Sequence, residues 1–321
     1  MHASESKTTT YTIAFYNLEN LFDIHKYTSK NDSDFLPGTE KRWTKKRYDQ
    51  KLRNLGEVIS KIGFDSNQKP PAIIGLAEVE NKNVLNDLIQ SYYLKSFDYG
   101  IIHYNSQDER GIDVGMLYDT SVFTVQDSKT YAVYLKNEFG NQDYTRDILV
   151  VTGMLHSEKI YCIVNHWPSR REGEKESMPK RVKAAEKVVD IVNSIRLKDE
   201  QAKILVMGDF NDNPGNDSVK FLKKKARLFN LMEPILSYSR GSSNHNFRWN
   251  LFDQILLTTN FFETQKNKLK YDRADIYDSK FLTQTTGKYR GQPFRTYSGR
   301  KYTGGYSDHF PVYIQLNVSS D

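Results

Sequence analysis

The amino-acid sequence predicts an α/β fold in which two mixed β-sheets pack face to face with helices outside them. Two observations support this prediction. Strand-like runs and helix-like patterns alternate along the whole chain, and no stretch rich in Pro, Gly or Ser separates one part from another. No internal repeat is present either. We therefore expect one domain over residues 11–318, preceded by a polar N-terminal tail at residues 1–10.

Each element is predicted from its local pattern. Helices are indicated where apolar side chains recur every three or four residues, and strands where short apolar runs are bounded by turn residues. The first helical pattern ends before Gly63, a typical helix stop. The polar segment 28–39 is expected to be a loop. The predicted helices are 45–62, 84–93, 179–195 and 218–225, and the predicted strands are 11–16, 72–77, 99–104, 114–118, 122–134, 148–154, 159–164, 203–207, 252–257 and 312–318.

The composition limits the class of partner. The chain carries a formal net charge of +6 and has a pI near 9.0. A basic balance suits a phosphorylated or polyanionic partner, although many basic proteins bind no nucleic acid. Aromatic residues make up 13% of the chain, and sheet packing is a commoner use for them than base stacking.

The one cysteine, Cys162, excludes an internal disulfide and lies in an apolar run, which indicates a small core residue.

Neither a membrane span nor a secretory leader is visible in the sequence. No apolar stretch reaches the roughly 18 residues that a bilayer-spanning helix needs. Residues 1–10 are polar, unlike a leader. We therefore expect no stable membrane insertion, a monomer, and a cytoplasmic location, or a secreted one if a leader has been removed.

Several polar side chains stand at the ends of strand-like runs. Glu78 follows the buried run 73–77, and Asn17 closes the first predicted strand. A carboxylate at the end of a buried strand is costly unless it binds something, and a nearby carboxamide oxygen suits a hard divalent ion. Glu19 would be a second ligand through water. Taken alone, Glu78 is better explained as an ordinary surface residue at a strand end.

The Gly-Asp-Phe-Asn segment at 208–211 follows another buried run. Asp209 and Asn211 share a face if the chain is extended, and an acid with an amide can orient an attacking water and bind a transition-state oxygen. Gly208 permits a close approach of phosphate. Pro214 is expected to start a helix. The competing interpretation is a turn, which Gly, Asp and Asn form readily.

The Ser-Asp-His segment at 307–309 precedes the last predicted strand. His309 can act as a general base or bind phosphate, because imidazole titrates near neutral pH. It needs an orienting carboxylate, and Asp253 is the candidate because it stands in an otherwise apolar run, where an unpaired carboxylate is expensive. Asp308 is a candidate second metal ligand. A strand-edge or capping role is the alternative for Asp253.

A further set combines imidazole with guanidinium. His166 follows a predicted strand and can protonate a leaving oxygen or bind a phosphoryl oxygen. Arg110, Arg146 and Arg170 are candidate phosphate-binding residues, because guanidinium forks match phosphate geometry. The alternative is a loop histidine accompanied by solvated basic residues.

Together these motifs resemble the endonuclease/exonuclease/phosphatase superfamily, whose members share a pancreatic-deoxyribonuclease-like fold. The resemblance runs from residue 11 to about residue 316. It rests on Asn17, Glu78 and Asp253 together with the motifs at 208–211 and 307–309. It implies a four-layer sandwich formed by a single catalytic domain, with the site at one end.

The resemblance also implies roles on the metal and water side. Glu78 would be the main ligand of magnesium or manganese, as one or two ions, with Asn17 beside it. Asp308 would serve the metal side. Asp209 would position or activate the water, and Asn211 would bind the phosphoryl oxygen.

Further roles follow from the same resemblance. His309 and Asp253 would form a His–Asp pair. His166 resembles an additional catalytic or phosphate-binding histidine of the deoxyribonuclease and sphingomyelinase branches. Arg146 resembles an arginine that opens a central strand in the deoxyribonuclease branch.

The sequence departs from the family at three places. Glu19 stands where some DNA-repair members carry Asp. The catalytic tyrosine of the DNA-repair branch has no clear counterpart, because Arg-Gly-Ile-Asp at 110–113 occupies that region. The segments 292–297 and 302–306 look like a bacterial subgroup of unassigned substrate, in which they would form a lip over the site.

We therefore expect a hydrolase that cleaves phosphodiester bonds by in-line attack of water, with the metal polarising the phosphoryl group. Nucleic acid is the first-choice substrate on net charge and family. The alternative is a phosphatase or phosphodiesterase acting on lipid head groups or soluble phosphorylated metabolites. A non-catalytic binding module is disfavoured, because every expected acidic, amide and imidazole position is filled.

Overall fold

The computed structural model describes residues 8–26, 34–137 and 139–319. Residues 1–7 of the predicted tail and 28–33 of the predicted loop lie outside the described residues. The helices are α1 (Lys45–Lys61), α2 (Phe64–Asn67), α3 (Lys82–Ile89), α4 (Glu174–Arg196) and α5 (Asp217–Lys225), with short 3-10 helices at Glu233–Ile235, Thr259–Phe262 and Lys280–Leu282. The strands are β1 (Thr8–Leu21), β2 (Ile73–Val79), β3 (Tyr99–His103), β4 (Asp113–Asp119), β5 (Phe123–Tyr131), β6 (Leu135–Lys136), β7 (Gln142–Asp143), β8 (Ile148–Leu155), β9 (Glu158–His166), β10 (Lys203–Asp209), β11 (Phe229–Asn230), β12 (Ser243–His245), β13 (Arg248–Asn250), β14 (Asp253–Leu257), β15 (Lys270–Ile276), β16 (Tyr297–Ser298), β17 (Lys301–Tyr302) and β18 (Val312–Ser319).

Two six-stranded mixed sheets form the frame. The first has the order β15-β18-β1-β2-β4-β3 and the second the order β11-β14-β10-β9-β8-β5. The pairs β1–β2 and β9–β10 are parallel, whereas their neighbours pair antiparallel. Strands β1, β2 and β4 of the first sheet contact β9, β10 and β14 of the second. The prediction of two packed mixed sheets is confirmed.

Buried side chains fill the space between the sheets and beneath the helices. At Gly75 a Cβ atom would lie 2.8 Å from Sδ of Met207 and 3.1 Å from Cγ1 of Val164, so this glycine lets the sheets approach closely. Helices α1 and α3 contribute apolar residues to the same core. Helices α4 and α5 cover the other face of the second sheet through a separate cluster that includes Val188 and Val206. The molecule is thus a four-layer sandwich.

Several predicted bounds differ from the structure. Strand β1 extends beyond residues 11–16 at both ends and takes in residues 8–10 of the predicted tail. Helix α4 begins at Glu174, and Pro179 lies inside it. The prediction of a start at Pro179 was wrong because acidic side chains at Glu174 and Glu176 favour a helical first turn, and the helix tolerates the one hydrogen bond that proline removes. Helix α5 starts after Pro214, at Asp217.

Strand β15 is a partly exposed edge strand that the sequence analysis did not predict. Among the helices of the described residues, none combines the length and apolar character needed to cross a bilayer. The bounds 11–318 of the single catalytic domain stay a prediction.

Candidate active site

The strand-end residues meet at one end of the sandwich. In the first sheet, Asn17 on β1 pairs with the residue that precedes Glu78 on β2. In the second sheet, Asp209 is flanked by His166 on β9 and Asp253 on β14. The side chain of Asn17 donates a hydrogen bond from Nδ2 to Oδ2 of Asp209 at 3.0 Å. This buried contact joins the two sheets where the candidate residues converge.

The backbone turns sharply at these strand ends. Glu19, Asn20, Glu78 and Asn211 have φ angles of 50°, 56°, 62° and 50°. The pairing of β1 with β2 also shifts in register beyond Asn17. Left-handed backbone is uncommon outside glycine, and such strained residues concentrate at functional sites. The chain thus leaves the regular sheet where the polar side chains are presented.

Glu78 is held by the end of β1 and by an arginine. Its Oε2 accepts a hydrogen bond from the backbone N–H of Asn20 at 2.8 Å. Its Oε1 lies 3.4 Å from Nη1 and Nη2 of Arg110, a long ion pair. Arg110 also donates from Nη2 to Oδ1 of Asn20 at 2.8 Å. One carboxylate oxygen is therefore fixed firmly, and the other is held only loosely.

Two imidazoles lie near the same carboxylate oxygen of Asp209. Nε2 of His166 lies 3.7 Å and Nε2 of His309 lies 3.9 Å from Oδ2 of Asp209. Nδ1 of His309 lies 2.6 Å from Oδ2 of Asp253, whose side chain is fully buried. The predicted contact between His309 and Asp253 is therefore present in the structure.

The two histidines have opposite electrostatic environments. Burial lowers the pKa of His166, and the charges of Arg146 and Arg110 lower it further, well below the usual value. Burial also opposes protonation of His309, but the charge and hydrogen bond of Asp253 raise its pKa well above the usual value. At neutral pH the site thus holds a neutral imidazole and an imidazolium near one carboxylate.

Asp209 is itself perturbed. Burial raises its pKa to about 6, while the charge of His309 and the hydrogen bonds from Asn211 and Asn17 act against this rise. Oδ1 of Asp209 accepts the backbone N–H of Asn211 at 2.9 Å. The side-chain amide of Asn211 donates to the carbonyl oxygen of Trp167 at 2.9 Å. The end of β10 and the two residues after it are therefore held by hydrogen bonds that keep the Asp209 carboxylate near both histidines.

Comparison with known proteins identifies the family. The chain matches the Endonuclease/Exonuclease/phosphatase family over residues 12–318. The protein belongs to this family. Its members are phosphate ester hydrolases, so the prediction of a hydrolase acting on phosphate esters is confirmed. No curated protein matches the chain.

Solved structures share the fold at low sequence identity. An endonuclease/exonuclease/phosphatase family protein from Bacteroides thetaiotaomicron is 17% identical, with a TM-score of 0.58 and coverage of 98% of this chain and 97% of that chain. TDP2 from D. rerio, solved with a single-strand DNA product, is 15% identical, with a TM-score of 0.57 and coverage of 96% and 99%. A mannosyl-6-phosphatase from Bacteroides thetaiotaomicron is 17% identical, with a TM-score of 0.55 and coverage of 95% and 99%.

Within this family member, all three predicted phosphate-binding arginines contact carboxylates, and Arg146 and Arg170 do so at shorter distances than Arg110. Arg146 donates to Oδ2 of Asp108 at 3.1 Å and to the carbonyl oxygen of Trp167 at 2.6 Å, and it is nearly buried. Arg170 donates to Oδ1 of Asp212 at 2.7 Å and to the carbonyl oxygen of Asn211, also at 2.7 Å. Through these contacts both arginines stabilise the loops around the site, and we call this role a brace. Their phosphate-binding role stays a prediction.

Glu19 and Asp308 belong to a charge network in which the side chain of Glu19 is buried and that of Asp308 is 31% exposed. Arg295 donates to Oδ2 of Asp308 at 2.8 Å and lies 3.4 Å from Oε1 of Glu19. Oε2 of Glu19 accepts the backbone N–H of Thr296 at 2.6 Å. Burial raises the pKa of Glu19 to about 6. The structure thus gives both carboxylates a partner in the segment 294–308, which we call the strap, and their metal-ligand role stays a prediction.

Two residues that hold the strap were not among the predicted site residues. Nζ of Lys51, on α1, donates to Oγ1 of Thr296 and to the carbonyl oxygen of Tyr306, both at 2.6 Å. Burial lowers the pKa of Lys51 to about 8. Oγ of Ser307 donates to the carbonyl oxygen of Asn17 at 2.7 Å. A signal for Lys51 existed, because it lies on the apolar face of the predicted helix. Ser307 lies in the motif at 307–309, but its contact with β1 depends on tertiary structure.

The oxygen donors near β1 and β2 suit a hard divalent ion, the kind of ion that this family generally uses. Glu78 offers Oε1, whose contacts with Arg110 are long. Oδ1 of Asn17 accepts only one N–H in the described contacts, that of Glu19 at 3.0 Å, and a carbonyl oxygen has two lone pairs. Carboxylate and amide oxygens are the ligands that magnesium prefers. The residues present therefore fit the implied metal.

A second acidic group lies beside these donors. Ligand atoms of Asp209, Asp253 and His309 all lie within 4.8 Å of one another. In this group Nδ1 of His309 already contacts Asp253 at 2.6 Å, which is the geometry of an oriented proton-transferring histidine. Asp253 and His309 are therefore engaged with each other, and metal binding by Glu78 and Asn17 stays a prediction.

Proposed function

We propose that this protein is a divalent-metal-dependent phosphodiesterase, with nucleic acid as its first-choice substrate. One observation carries the proposal. Asp209 lies between the amide of Asn17 and the imidazoles of His166 and His309, and these four side chains come from both sheets and from the segment before β18. A carboxylate flanked by a neutral and a charged imidazole is suited to acid–base work on an anionic substrate.

In this proposal Glu78 and Asn17 hold magnesium or manganese, as one or two ions. A bound ion supplies Lewis acidity that polarises a phosphoryl oxygen. Arg110 stands beside Glu78 and is the arginine best suited to contact the phosphate, because its carboxylate contact is long at 3.4 Å. Glu19 and Asp308 act in support, since Arg295 neutralises them on the strap side.

The remaining roles follow from the protonation preferences of the side chains. Asp209 orients the attacking water and accepts its proton, and a pKa of about 6 matches a base that works near neutral pH. His309, held as an imidazolium by Asp253, stabilises the charge that develops on the phosphoryl oxygens. Neutral His166 donates a hydrogen bond to a phosphoryl or leaving oxygen.

Two considerations support nucleic acid as the substrate. The chain has a net charge of +6, which favours a polyanion. It also resembles in fold a TDP2 that was solved with a single-strand DNA product. The likeness to a mannosyl-6-phosphatase supports the second candidate, a phosphatase or phosphodiesterase acting on soluble phosphorylated metabolites or lipid head groups.

A substrate panel tests this proposal. Plasmid DNA, single-stranded DNA, RNA, mannose 6-phosphate, a phosphoinositide head group and a sphingolipid would be assayed with magnesium, beside the protein carrying His309→Ala. We expect the highest kcat/KM on a nucleic acid and loss of that activity in the variant. A higher kcat/KM on the sugar or lipid substrates would select the second candidate, and no hydrolysis of any member would refute both.

A further inference from the structure

A basic cavity of about 390 Å³ lies next to the candidate active site. Asn20 and Arg110 line this cavity, and both also bind Glu78. The cavity is therefore continuous with the proposed metal side of the site. A substrate whose reacting phosphate lies near Glu78 would extend its next group into the cavity.

Three cations line the basic cavity, namely Lys41, Arg110 and Arg171. Asp34 supplies the one carboxylate among the residues that line it. Arg171 and Arg110 are close enough that the charge of Arg110 lowers the pKa of Arg171. The carboxylates of Glu78 and Asp108 act in the opposite direction on this pKa. Three cations against one carboxylate still give the lining of the cavity a net positive charge, which favours an anionic ligand.

The partners of Arg171 distinguish it from ordinary structural arginines. Its neighbour Arg170 is bound to Asp212 and Glu174. Within residues 8–26, 34–137 and 139–319, by contrast, Arg171 makes no hydrogen bond or ion pair, and its side chain is exposed. Its guanidinium is therefore free to form the bidentate contacts that phosphate favours.

Lys41 is held at the cavity wall by aromatic rings. Its Nζ lies 5.0 Å from the ring centroid of Phe35 and 4.7 Å from that of Tyr297. Cation–π contacts position an ammonium group without neutralising it. In the described part of the chain Lys41 has no carboxylate partner, so it keeps its charge for a ligand.

We propose that the basic cavity binds a second phosphate group of the substrate. This inference rests on the proposed phosphodiesterase function and deepens it, because it selects substrates that carry two phosphates. The second phosphate belongs either to the next linkage of a nucleic acid strand or to a small bisphosphorylated molecule. Arg171 and Lys41 recognise it, and Arg110 lies between it and the reacting phosphate.

The test compares two chromogenic esters that differ by one phosphate. These are thymidine 5′-(p-nitrophenyl phosphate) and the same compound with a 3′-phosphate. We expect the kcat/KM of the 3′-phosphorylated ester to be about tenfold higher than that of the other ester, because one additional charge-assisted contact can give a preference of this size. In the protein carrying both Lys41→Gln and Arg171→Gln, the ratio of the two kcat/KM values is expected to fall to about one, as the loss of that contact requires.

A matched control removes the same charge elsewhere. Lys61→Gln combined with Lys183→Gln removes two lysines whose side chains are 44% and 63% exposed on helices α1 and α4. This double variant should keep the wild-type ratio. A ratio of one in the wild-type protein, or a ratio that the cavity variant leaves unchanged, overturns the inference.

A second pair of substrates identifies the source of the phosphate. Glucose 1,6-bisphosphate and glucose 6-phosphate would be compared by release of inorganic phosphate. A preference confined to the nucleotide esters supports a neighbouring strand phosphate, and a preference in the sugar pair supports a small bisphosphate. Equal rates within both pairs would overturn the inference.

Binding without turnover separates this inference from the proposed function. Calorimetry in buffer with chelator would compare thymidine 3′,5′-bisphosphate with thymidine 5′-monophosphate. We expect tighter binding of the bisphosphate, lost in the Lys41→Gln, Arg171→Gln protein. If wild-type protein hydrolyses no ester but keeps this preference, the proposed function fails and the cavity assignment stands. If it hydrolyses the esters but shows no preference in binding or rate, only the cavity assignment fails.

Discussion

Nδ1 of His309 lies 2.6 Å from Oδ2 of Asp253, although the two residues are 56 positions apart in the chain. The contact is possible because Asp253 opens β14, beside Asp209, while His309 stands just before β18 in the other sheet. It fixes the ring so that Nε2 faces Asp209. Residues from both sheets thus form one acid–base unit.

Asp253→Asn should lower kcat strongly while leaving the fold intact. The amide cannot stabilise the imidazolium of His309 and favours the wrong tautomer, so we expect a loss of roughly 100- to 1,000-fold in kcat. Rates on bis(p-nitrophenyl) phosphate with magnesium provide the measurement. Asp278→Asn is the control, because Asp278 pairs with Arg240 instead. A kcat for Asp253→Asn close to that of the control would contradict this role.

Arg146→Gln should destabilise the protein. The substitution removes the cation beside the buried carboxylate of Asp108, and leaving one member of a buried ion pair alone costs about 3–5 kcal/mol. Urea unfolding followed by circular dichroism gives the free energy of unfolding. Arg300→Gln is the control, because Arg300 pairs with Glu40 at the surface and its side chain is 84% exposed. It should not measurably change the free energy of unfolding. Equal stability of the two variants would show that Arg146 is not a brace.

Lys51→Met should loosen the strap. Methionine fills a similar volume but cannot donate to Thr296 and Tyr306, and it leaves the acidic network without one cation. We expect trypsin to cleave the variant after Arg300, in the exposed tip of the strap, faster than it cleaves the wild-type protein. Mass spectrometry of the fragments measures the rate. Lys61→Met, on the exposed side of the same helix, provides the control. Cleavage of both variants at the wild-type rate would argue against strap support by Lys51.

The thiol of Cys162 should report on unfolding. Burial raises its pKa to about 12, against about 8.5 in an unfolded chain, so the native thiol stays protonated and inaccessible at pH 8. Because the unfolded state loses this proton first, the thiol contributes less to stability as pH rises from about 8.5 towards 12. A thiol-reactive disulfide reagent should label the protein only in denaturant. Rapid labelling of native, active protein would contradict the buried assignment.

The sequence predicted those features that depend on local patterns. Apolar runs identified most central strands, and polar residues at their ends identified the residues that converge at the site. Their convergence followed from the family resemblance, because spacing alone cannot bring Asn17 to Asp209 across two sheets. Strand β15 escaped prediction because its side chains are mainly polar and partly exposed, as suits an edge strand.

The partners of charged residues were harder to predict. Arg146 and Arg170 are of the residue type that binds phosphate. In the structure, however, they pair with Asp108 and Asp212, which are distant from them in sequence. Glu19 was expected to face a metal, and the sharp turn after Asn17 brings it to the strap. Pairing between side chains that are far apart in the chain depends on tertiary structure, which no local pattern reports.

Hydrolysis of bis(p-nitrophenyl) phosphate by chelator-treated and magnesium-restored protein, with wild type and Asp209→Ala side by side, tests the central claim most directly. We predict that chelation abolishes activity, that magnesium restores it, and that Asp209→Ala keeps less than about 1% of the wild-type kcat. Wild-type rates in excess chelator, or in the Asp209→Ala protein, would contradict the account.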